Sequence, residues 1–415
     1  MDKQHFKVDI SKPKLNICLN SSKYKNFEVN IIIKDIDSKL QLWNSIFFFK
    51  ENTLFWYKPI KFEDHNGFII QIFESENEIF NERIRLKNTR GVEIQKPYIF
   101  VGSVGGIGDH FSAEPTLRKI SESFDQKLII FSYFPELFIN HPCIEQVIKV
   151  NGTHTDNDIV KNVPDEYKDK NIRYILRCER DRFGYLPYWD TIDLKQLSAI
   201  QAGITLKRDE LDYHFYPDDF ENIDLPDKYV VINPSITAPS RTWSLEKWQK
   251  LIDILNDNDI NVVSIGKDVS GKSFYNDIII KKGLNLCGDE RQNSLSQVWH
   301  ILNRSKMFIT FDTGLFIFAG STDTFILQIG GSIDPEYHKP YRNGTQNYKY
   351  SYVEGNCKIK CFSDPKYGIQ WSAAFGNMTG KEKIGYCFKQ FVPDNEYDCH
   401  PSPELVAEKA LIYYK

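Results

Sequence analysis

From residue 97 onward, short apolar runs alternate with stretches of helical spacing, and no other feature of the chain restricts its fold as much. Pro97-Tyr98-Ile99-Phe100-Val101, Lys127-Leu128-Ile129-Ile130-Phe131 and Val147-Ile148-Lys149-Val150 make a first series of buried strands. Residues 229–233, 261–265, 284–286, 307–310 and 325–329 make a second, more regular one. Helix-like stretches lie between these strands. One covers residues 244–256 with Ser244 as its N-cap, and another covers 294–305. Apolar strands alternating with helices predict βα units on parallel sheets, and the two series predict two α/β halves.

Residues 1–92 follow another grammar. Phe27-Glu28-Val29-Asn30-Ile31 alternates in polarity, and Ser45-Ile46-Phe47-Phe48-Phe49, Thr53-Leu54-Phe55-Trp56-Tyr57 and Gly67-Phe68-Ile69-Ile70-Gln71-Ile72-Phe73 are apolar runs between polar turns. Runs of this length predict strands, and so a small β-sheet or barrel. The expected organisation is a β-rich domain at 1–92, Rossmann-like domains at 93–222 and 223–350, a cysteine-bearing insertion at 351–400 and a C-terminal helix at 401–415.

Composition excludes several function classes. With 41% hydrophobic and 26% charged residues over 415 positions, the chain can bury sizeable cores. Lys+Arg 52 against Asp+Glu 56 leaves a net charge of −4, which argues against broad nucleic-acid binding. No uncharged apolar stretch approaches about 20 residues, so no membrane span is expected. The opening MDKQHFKVDI has no apolar core followed by a cleavage site, so the expected location is the cytoplasm. In that reducing compartment clustered cysteines favour a metal over disulfides. Cys18, Cys143, Cys178 and Cys287 are scattered, whereas Cys357, Cys361, Cys387 and Cys399 share one short stretch. Four thiolates suit a tetrahedral zinc or iron site, and spacing alone favours structural zinc.

Three strand-to-helix loops carry candidate chemistry. Gly102-Ser103-Val104-Gly105-Gly106-Ile107-Gly108-Asp109-His110 fits neither the dinucleotide fingerprint nor a P-loop, but its glycines let backbone approach a ligand. Asn233-Pro234-Ser235-Ile236-Thr237-Ala238-Pro239-Ser240-Arg241-Thr242-Trp243-Ser244 offers hydroxyls, amides and one Arg, a cradle for a diphosphate. Phe311-Asp312-Thr313-Gly314-Leu315 sets a carboxylate beside Thr and Gly at a strand end, where it can hold sugar hydroxyls while amides face phosphate. Each also has a plain reading: Asp109, Asp312 or Thr313 as a helix cap, and Arg241 as a solvated charge.

Taken in order, NPSITAPSRTWSLEKWQKLIDIL, VVSIGKD and NLCGD followed by SLSQVWHILNRSKMFITFDTGLFIFAG resemble the C-terminal half of the ADP-heptose glycosyltransferases. GIGDHFSAEPTL resembles the entry to their first helix, so the likeness covers about residues 98–335. It departs at Phe316-Ile317-Phe318, where many relatives carry a His. The flanking β-rich segment and the four-cysteine stretch add a resemblance to the bacterial autotransporter heptosyltransferases. This implies an α/β fold of GT-B type, with two Rossmann-like domains facing a cleft, the acceptor on the N-terminal one and the nucleotide-sugar on the C-terminal one. The implied partners are ADP-heptose, the passenger domain of an autotransporter adhesin, and further copies of the chain in a large ring-like homo-oligomer. The implied cofactor is one iron (Fe3+) per subunit on Cys357, Cys361, Cys387 and Cys399, with zinc as the alternative.

Under this reading Asp109 is the general base for an acceptor serine in an inverting transfer, and His110 is its competitor. Arg241, with Thr237 and Ser240, stabilises the departing diphosphate, and Lys267 after the Gly266 turn is a secondary candidate. Asp312, Thr313 and Gly314 hold sugar and phosphate. Two other readings stand beside it: a GT-B enzyme moving another sugar onto a lipopolysaccharide or saccharide, and a non-catalytic scaffold organised by the metal.

Overall fold

The structure is a computed structural model that describes residues 6–11, 14–19, 27–36, 41–49, 54–57, 67–74, 77–85, 100–104, 106–124, 126–150, 172–177, 194–202, 204, 206–219, 223–234, 241–266, 277–335, 338–342, 349–357, 385–386, 391–392 and 399–415. Seven strands come first: β1 (Phe6–Ser11), β2 (Lys14–Leu19), β3 (Phe27–Asp35), β4 (Gln41–Phe49), β5 (Leu54–Tyr57), β6 (Gly67–Glu74) and β7 (Asn77–Arg85). They form two antiparallel sheets, ordered β1-β2-β5 and β4-β3-β6-β7. Alternation drives this pairing. Val29, Ile31 and Ile33 of β3 are buried while the residues between them are half-buried, so β3 offers one apolar face.

The first α/β half has the parallel strands β8 (Phe100–Val104), β9 (Leu128–Ser132), β10 (Ile144–Lys149) and β11 (Ile172–Arg177), in spatial order β10-β9-β8-β11. Helices α1 (Ile107–Ser112) and α2 (Glu114–Phe124) follow β8 and are separated at Ala113. Helix α3 (Leu194–Gln201) follows β11. All five residues of β9 are buried, as expected of a strand covered on both faces.

The second half holds six parallel strands: β12 (Tyr229–Ile232), β13 (Asn261–Ser264), β14 (Gly283–Asn285), β15 (Met307–Thr310), β16 (Phe325–Ile329) and β17 (Tyr350–Val353). Their order is β14-β13-β12-β15-β16-β17, the doubly wound arrangement of a dinucleotide-binding sheet. Helix α4 (Leu245–Asp257) starts at Ser244, whose hydroxyl accepts from the Lys247 amide. Helix α5 (Leu295–Arg304) starts at Ser294, and Gln297 reaches back to the Ser294 amide to complete a capping box. Helix α6 (Gly314–Ala319) follows β15. Short strands β18 (Gly385–Tyr386) and β19 (Phe391–Val392) pair with each other, and helix α7 (Pro403–Tyr414) ends the chain.

Two cores cover the faces of this sheet. Trp248, Leu251 and Leu255 of α4 pack with Val406, Ala407 and Ala410 of α7 against one face. On the other face Val298, Ile301 and Leu302 of α5 join a core that runs on into the first half through Phe111, Leu117, Ile120 and Ile130. Phe111 stacks on Tyr213 and meets Phe318 edge-on, with ring centroids 5.2 and 5.3 Å apart. The two halves therefore share a continuous apolar core. Phe316, Ile317 and Phe318, where the expected family pattern has a His, are buried in or against it.

Candidate active site

In an open parallel sheet, ligands bind beyond the carboxyl ends of the strands, at the point where strand order reverses. In the second half that point lies between β12 and β15, and Arg241 and Asp312 follow those two strands. In the first half β8 lies at the corresponding reversal, and Asp109 follows it on α1.

Helices α1 and α6 bring the two ends together. Gly108 packs against Gly314: a Cβ on Gly108 would lie 2.9 Å from the Gly314 Cα, and one on Gly314 would lie 2.3 Å from Cγ2 of Ile107. Only paired glycines allow backbones this close. Gly314, expected to face phosphate, thus also closes the packing between the halves. Thr313 caps α6, its hydroxyl accepting from the Phe316 amide at 3.3 Å.

Asp109 sits at the third position of α1, and its Oδ2 accepts from the Gly106 amide at 2.7 Å. One carboxylate oxygen therefore does cap the helix. Burial raises the Asp109 pKa above the ordinary carboxylate value. The Gly106 amide, His338 and Arg241 pull it back down, while the like charge of Asp312 adds to the rise. A carboxylate held this way is a better proton acceptor than an exposed Asp. His110 points elsewhere. Its ring is fully buried, with Nδ1 3.0 Å from the Ser132 hydroxyl and Phe134 edge-on at 5.1 Å, and it is a core residue of the first half.

Asp312 is buried, and its carboxylate hydrogen-bonds the Nδ1 of His338. Arg241 donates from Nη1 to the Asp312 carbonyl at 2.7 Å, and the same nitrogen lies 3.8 Å from Oδ2. The result is a cluster of Asp109, Asp312, Arg241 and His338 across the junction of the halves. Gly266 at the end of β13 exchanges two hydrogen bonds with the side chain of Gln292, at 2.9 and 2.6 Å, which fixes the turn beside this cluster's sheet edge. Thr237, Ser240 and Lys267 lie outside the described residues.

His338 was not visible as a site residue in the sequence, nor were the groups that hold its loop. Lys195 of α3 is buried between the Tyr213 and Tyr341 rings, 4.9 Å from each centroid, and its Nζ donates to the Lys339 carbonyl. Arg342 is buried and donates to the carbonyls of Thr322, Ala319, Thr324 and Lys349. No local pattern marks such residues, because their partners are distant in sequence.

Of the four clustered cysteines, Cys357 and Cys399 are described and both are buried outside any disulfide. Cys361 and Cys387 lie outside the described residues. Among the described residues no group of three or more His, Cys, Asp or Glu side chains converges as a metal site. Cys399 and His400 nevertheless touch the functional end of the sheet. The Cys399 carbonyl abuts Gly330 after β16, and the His400 ring lies 5.0 Å from Phe311, the neighbour of Asp312. Trp243 and Trp248 are fully buried against the same Phe311 and are packing residues.

Residues 193–366 match the model of glycosyltransferase family 9 (heptosyltransferase). The chain carries a family 9 glycosyltransferase domain. By that domain the protein is a glycosyltransferase, and both strand ends that carry Arg241 and Asp312 fall within the match. No curated protein matches the sequence. Among solved structures, the iron-containing dodecameric glycosyltransferase TibC from enterotoxigenic E. coli is similar in fold, at a TM-score of 0.57 and 15% identity over 99% of this chain and 95% of that one. TibC in complex with ADP-D-beta-D-heptose gives a TM-score of 0.56 over the same shares. The ADP-heptose lipopolysaccharide heptosyltransferase II of E. coli gives 0.52 at 13% identity, over 76% of this chain and 98% of that one. At these identities the likeness is one of fold. No described helix is long and apolar enough to cross a membrane.

Proposed function

We propose that this glycosyltransferase moves heptose from ADP-heptose to serine hydroxyls of an autotransporter passenger protein, with inversion at the anomeric carbon. The observation that carries the reading is the carboxylate of Asp109, presented by one half to the charged cluster of the other at the strand-order reversals of both sheets. A serine hydroxyl is a weak nucleophile until its proton is being removed. As the serine oxygen bonds to the anomeric carbon, its proton passes to Asp109 and the bond from that carbon to the phosphate oxygen breaks. The electron pair leaves with ADP, whose new charge Arg241 stabilises together with Thr237, Ser240 and Lys267 on the neighbouring strand-end loops. Asp312 then orients the sugar, while Thr313 and Gly314 set the helix behind it.

Coverage favours a protein acceptor over a lipopolysaccharide one. The fold match to TibC spans 99% of this chain, whereas the lipopolysaccharide enzyme is itself covered almost in full by 76% of it. The remainder of the chain is surplus to sugar transfer onto lipopolysaccharide and is available for a protein substrate or for assembly. On this reading Cys357 and Cys399, already buried thiols, hold one iron with Cys361 and Cys387, with zinc as the alternative. The metal's contribution there is a structural cross-link. Cytoplasmic subunits assemble into a homo-oligomer.

Co-expression with an autotransporter passenger in cells that make ADP-heptose, followed by intact-mass analysis, tests the proposal. Added heptose units that disappear with Asp109→Asn are expected. An unmodified passenger alongside transfer to a lipopolysaccharide core would overturn the protein acceptor and favour the saccharide one.

A further inference from the structure

Beyond β13 the chain turns at Gly266, and a side chain holds that turn. Gln292 is buried, and its Oε1 accepts from the Gly266 amide at 2.9 Å while its Nε2 donates to the Gly266 carbonyl at 2.6 Å. One primary amide thereby satisfies both backbone polar groups of a single residue, as a paired strand would. Only a side chain with a donor and an acceptor on one carbon, long enough to reach, can do this, and Gln has both. The Gly266 carbonyl accepts a second time, from the Gly288 amide at 3.1 Å. Gly288 has a φ of 75°, which favours glycine.

The segment that carries Gln292 is fixed in turn. It forms one 3-10 turn, Glu290–Gln292, capped by Asp289, whose Oδ1 accepts from the Arg291 amide at 2.8 Å. The Arg291 guanidinium grips the same carboxylate, with Nε 2.9 Å from Oδ1 and Nη2 2.8 Å from Oδ2. The Gln292 amide donates to the Asp289 carbonyl at 3.2 Å. Beside it, Asn285 Oδ1 accepts from the Ser264 hydroxyl at 2.5 Å and from the Cys287 amide at 3.1 Å. The carboxyl ends of β13 and β14 are therefore stitched together by side chains.

In a doubly wound sheet of this order the phosphates lie beyond the first strand and the ribose beyond the second. Here β12 is the first strand and leads toward Arg241, and β13 is the second and ends at the Gly266 turn. We infer that Gln292 is a positioning residue for the nucleoside end of the donor: its amide holds the Gly266 turn in the conformation on which the ribose of a nucleoside diphosphate seats. This deepens the reading above and rests on it. A turn already ordered before the ligand arrives spares the entropy of ordering it, so the effect falls on binding. The charged cluster of Asp109, Asp312 and Arg241 follows β8, β15 and β12, so the transfer step itself does not call on Gln292 once the donor is bound.

The test is calorimetric titration of the full-length protein with ADP, joined to transfer kinetics and to NMR of the Gly266 amide. Gln292→Leu removes both hydrogen bonds at similar size, whereas Gln292→Glu keeps the acceptor for the Gly266 amide and loses the donor to its carbonyl. Gln292→Leu should bind ADP about tenfold more weakly and raise the donor KM by a similar factor, with kcat within about twofold of wild type. Gln292→Glu should show the same split. In the wild type the Gly266 amide resonance should shift on saturation with ADP. A folded Gln292→Leu that binds ADP as the wild type does would overturn the inference, and so would a fall in kcat at unchanged ADP affinity. If neither variant folds, the wild-type resonance decides, and a Gly266 signal unmoved by saturating ADP overturns the inference. A wild type that binds ADP and transfers no heptose overturns the functional reading alone, because the ADP titrations still decide the role of Gln292. A wild type that binds no ADP overturns both.

Discussion

At the residue scale the decisive group is Asp109, whose carboxylate both caps α1 and faces the charges of the other half. Asp109→Asn keeps a cap acceptor and removes the base, so transfer should fall by roughly 10²–10⁴-fold while ADP affinity is retained. Transfer at a near wild-type rate would exclude the base role. The same group makes a prediction about stability. Its folded pKa is raised, so the folded state binds that proton more tightly than the unfolded chain does. Stability therefore falls as pH rises from the ordinary carboxylate value through the raised one, and it stays lower above that window. Asp109→Asn should melt higher than wild type at neutral pH, and the gap in Tm should close at acid pH. Arg241→Ala should reduce kcat/KM by about 2–4 kcal/mol of transition-state stabilisation, with partial recovery in Arg241→Lys because charge counts beyond geometry. Part of any loss belongs to Asp312, whose carbonyl Arg241 holds, and donor titration of both variants by calorimetry separates binding from catalysis.

At the scale of elements, the contact of α1 with α6 carries the geometry of the site. Gly108→Ala would drive a methyl into the Gly314 backbone at 2.9 Å, and backbone cannot yield as a flexible side chain does. Overpacking of this kind costs about 1–3 kcal/mol, and here it also separates the aspartates. A lower Tm together with a loss of transfer larger than the stability change explains is the expected result. A second element contact holds the first half to the segment that leads into the second. Glu114 of α2 is fully buried and accepts from Arg118 Nε, from His141 Nε2 at 3.0 Å and from the His214 amide at 3.0 Å. Glu114→Ala leaves the half-buried Arg118 without its carboxylate and the buried His141 and the His214 amide without an acceptor, so unfolding by denaturant should show a loss of roughly 1–3 kcal/mol. Cys143 joins this network, its sulfur 3.0 Å from His141 Nδ1, and burial pushes its thiol pKa up to about 12. It is therefore a packing thiol and should resist alkylation near neutral pH.

For the whole molecule, Cys399 and His400 pack on Gly330 and Phe311, next to the loop that carries Asp312. A metal on the four thiolates would therefore brace the donor side of the junction. Cys357→Ser should lower iron content by elemental analysis and lower the Tm, because metal binding and folding of such sites are coupled. Wild-type protein that is metal-free and equally stable would refute the four-thiolate site, and zinc in place of iron from iron-replete cells would refute the iron assignment alone.

Local chemistry was legible in the sequence. The strands of the second half show in their apolar runs, the starts of α4 and α5 in Ser244 and Ser294, and the strand-end carboxylates in their neighbouring Gly and Thr, since each depends on residues a few positions apart. The same local signals suggest Gly314 as a ligand contact, whereas its approach to Gly108 of the other half is visible only in the tertiary structure. Tertiary structure alone decided His338, which meets Asp312 across 26 positions, and Lys195, which reaches Lys339 across 144. It also separates Asp109 from its neighbour His110, which is buried in the core of the first half beside Ser132. Periodicity and capping are short-range and so are written along the chain. Charge balance in a buried site depends on which groups the fold brings within a few ångströms, and that distance is set only when the two halves close on their shared core.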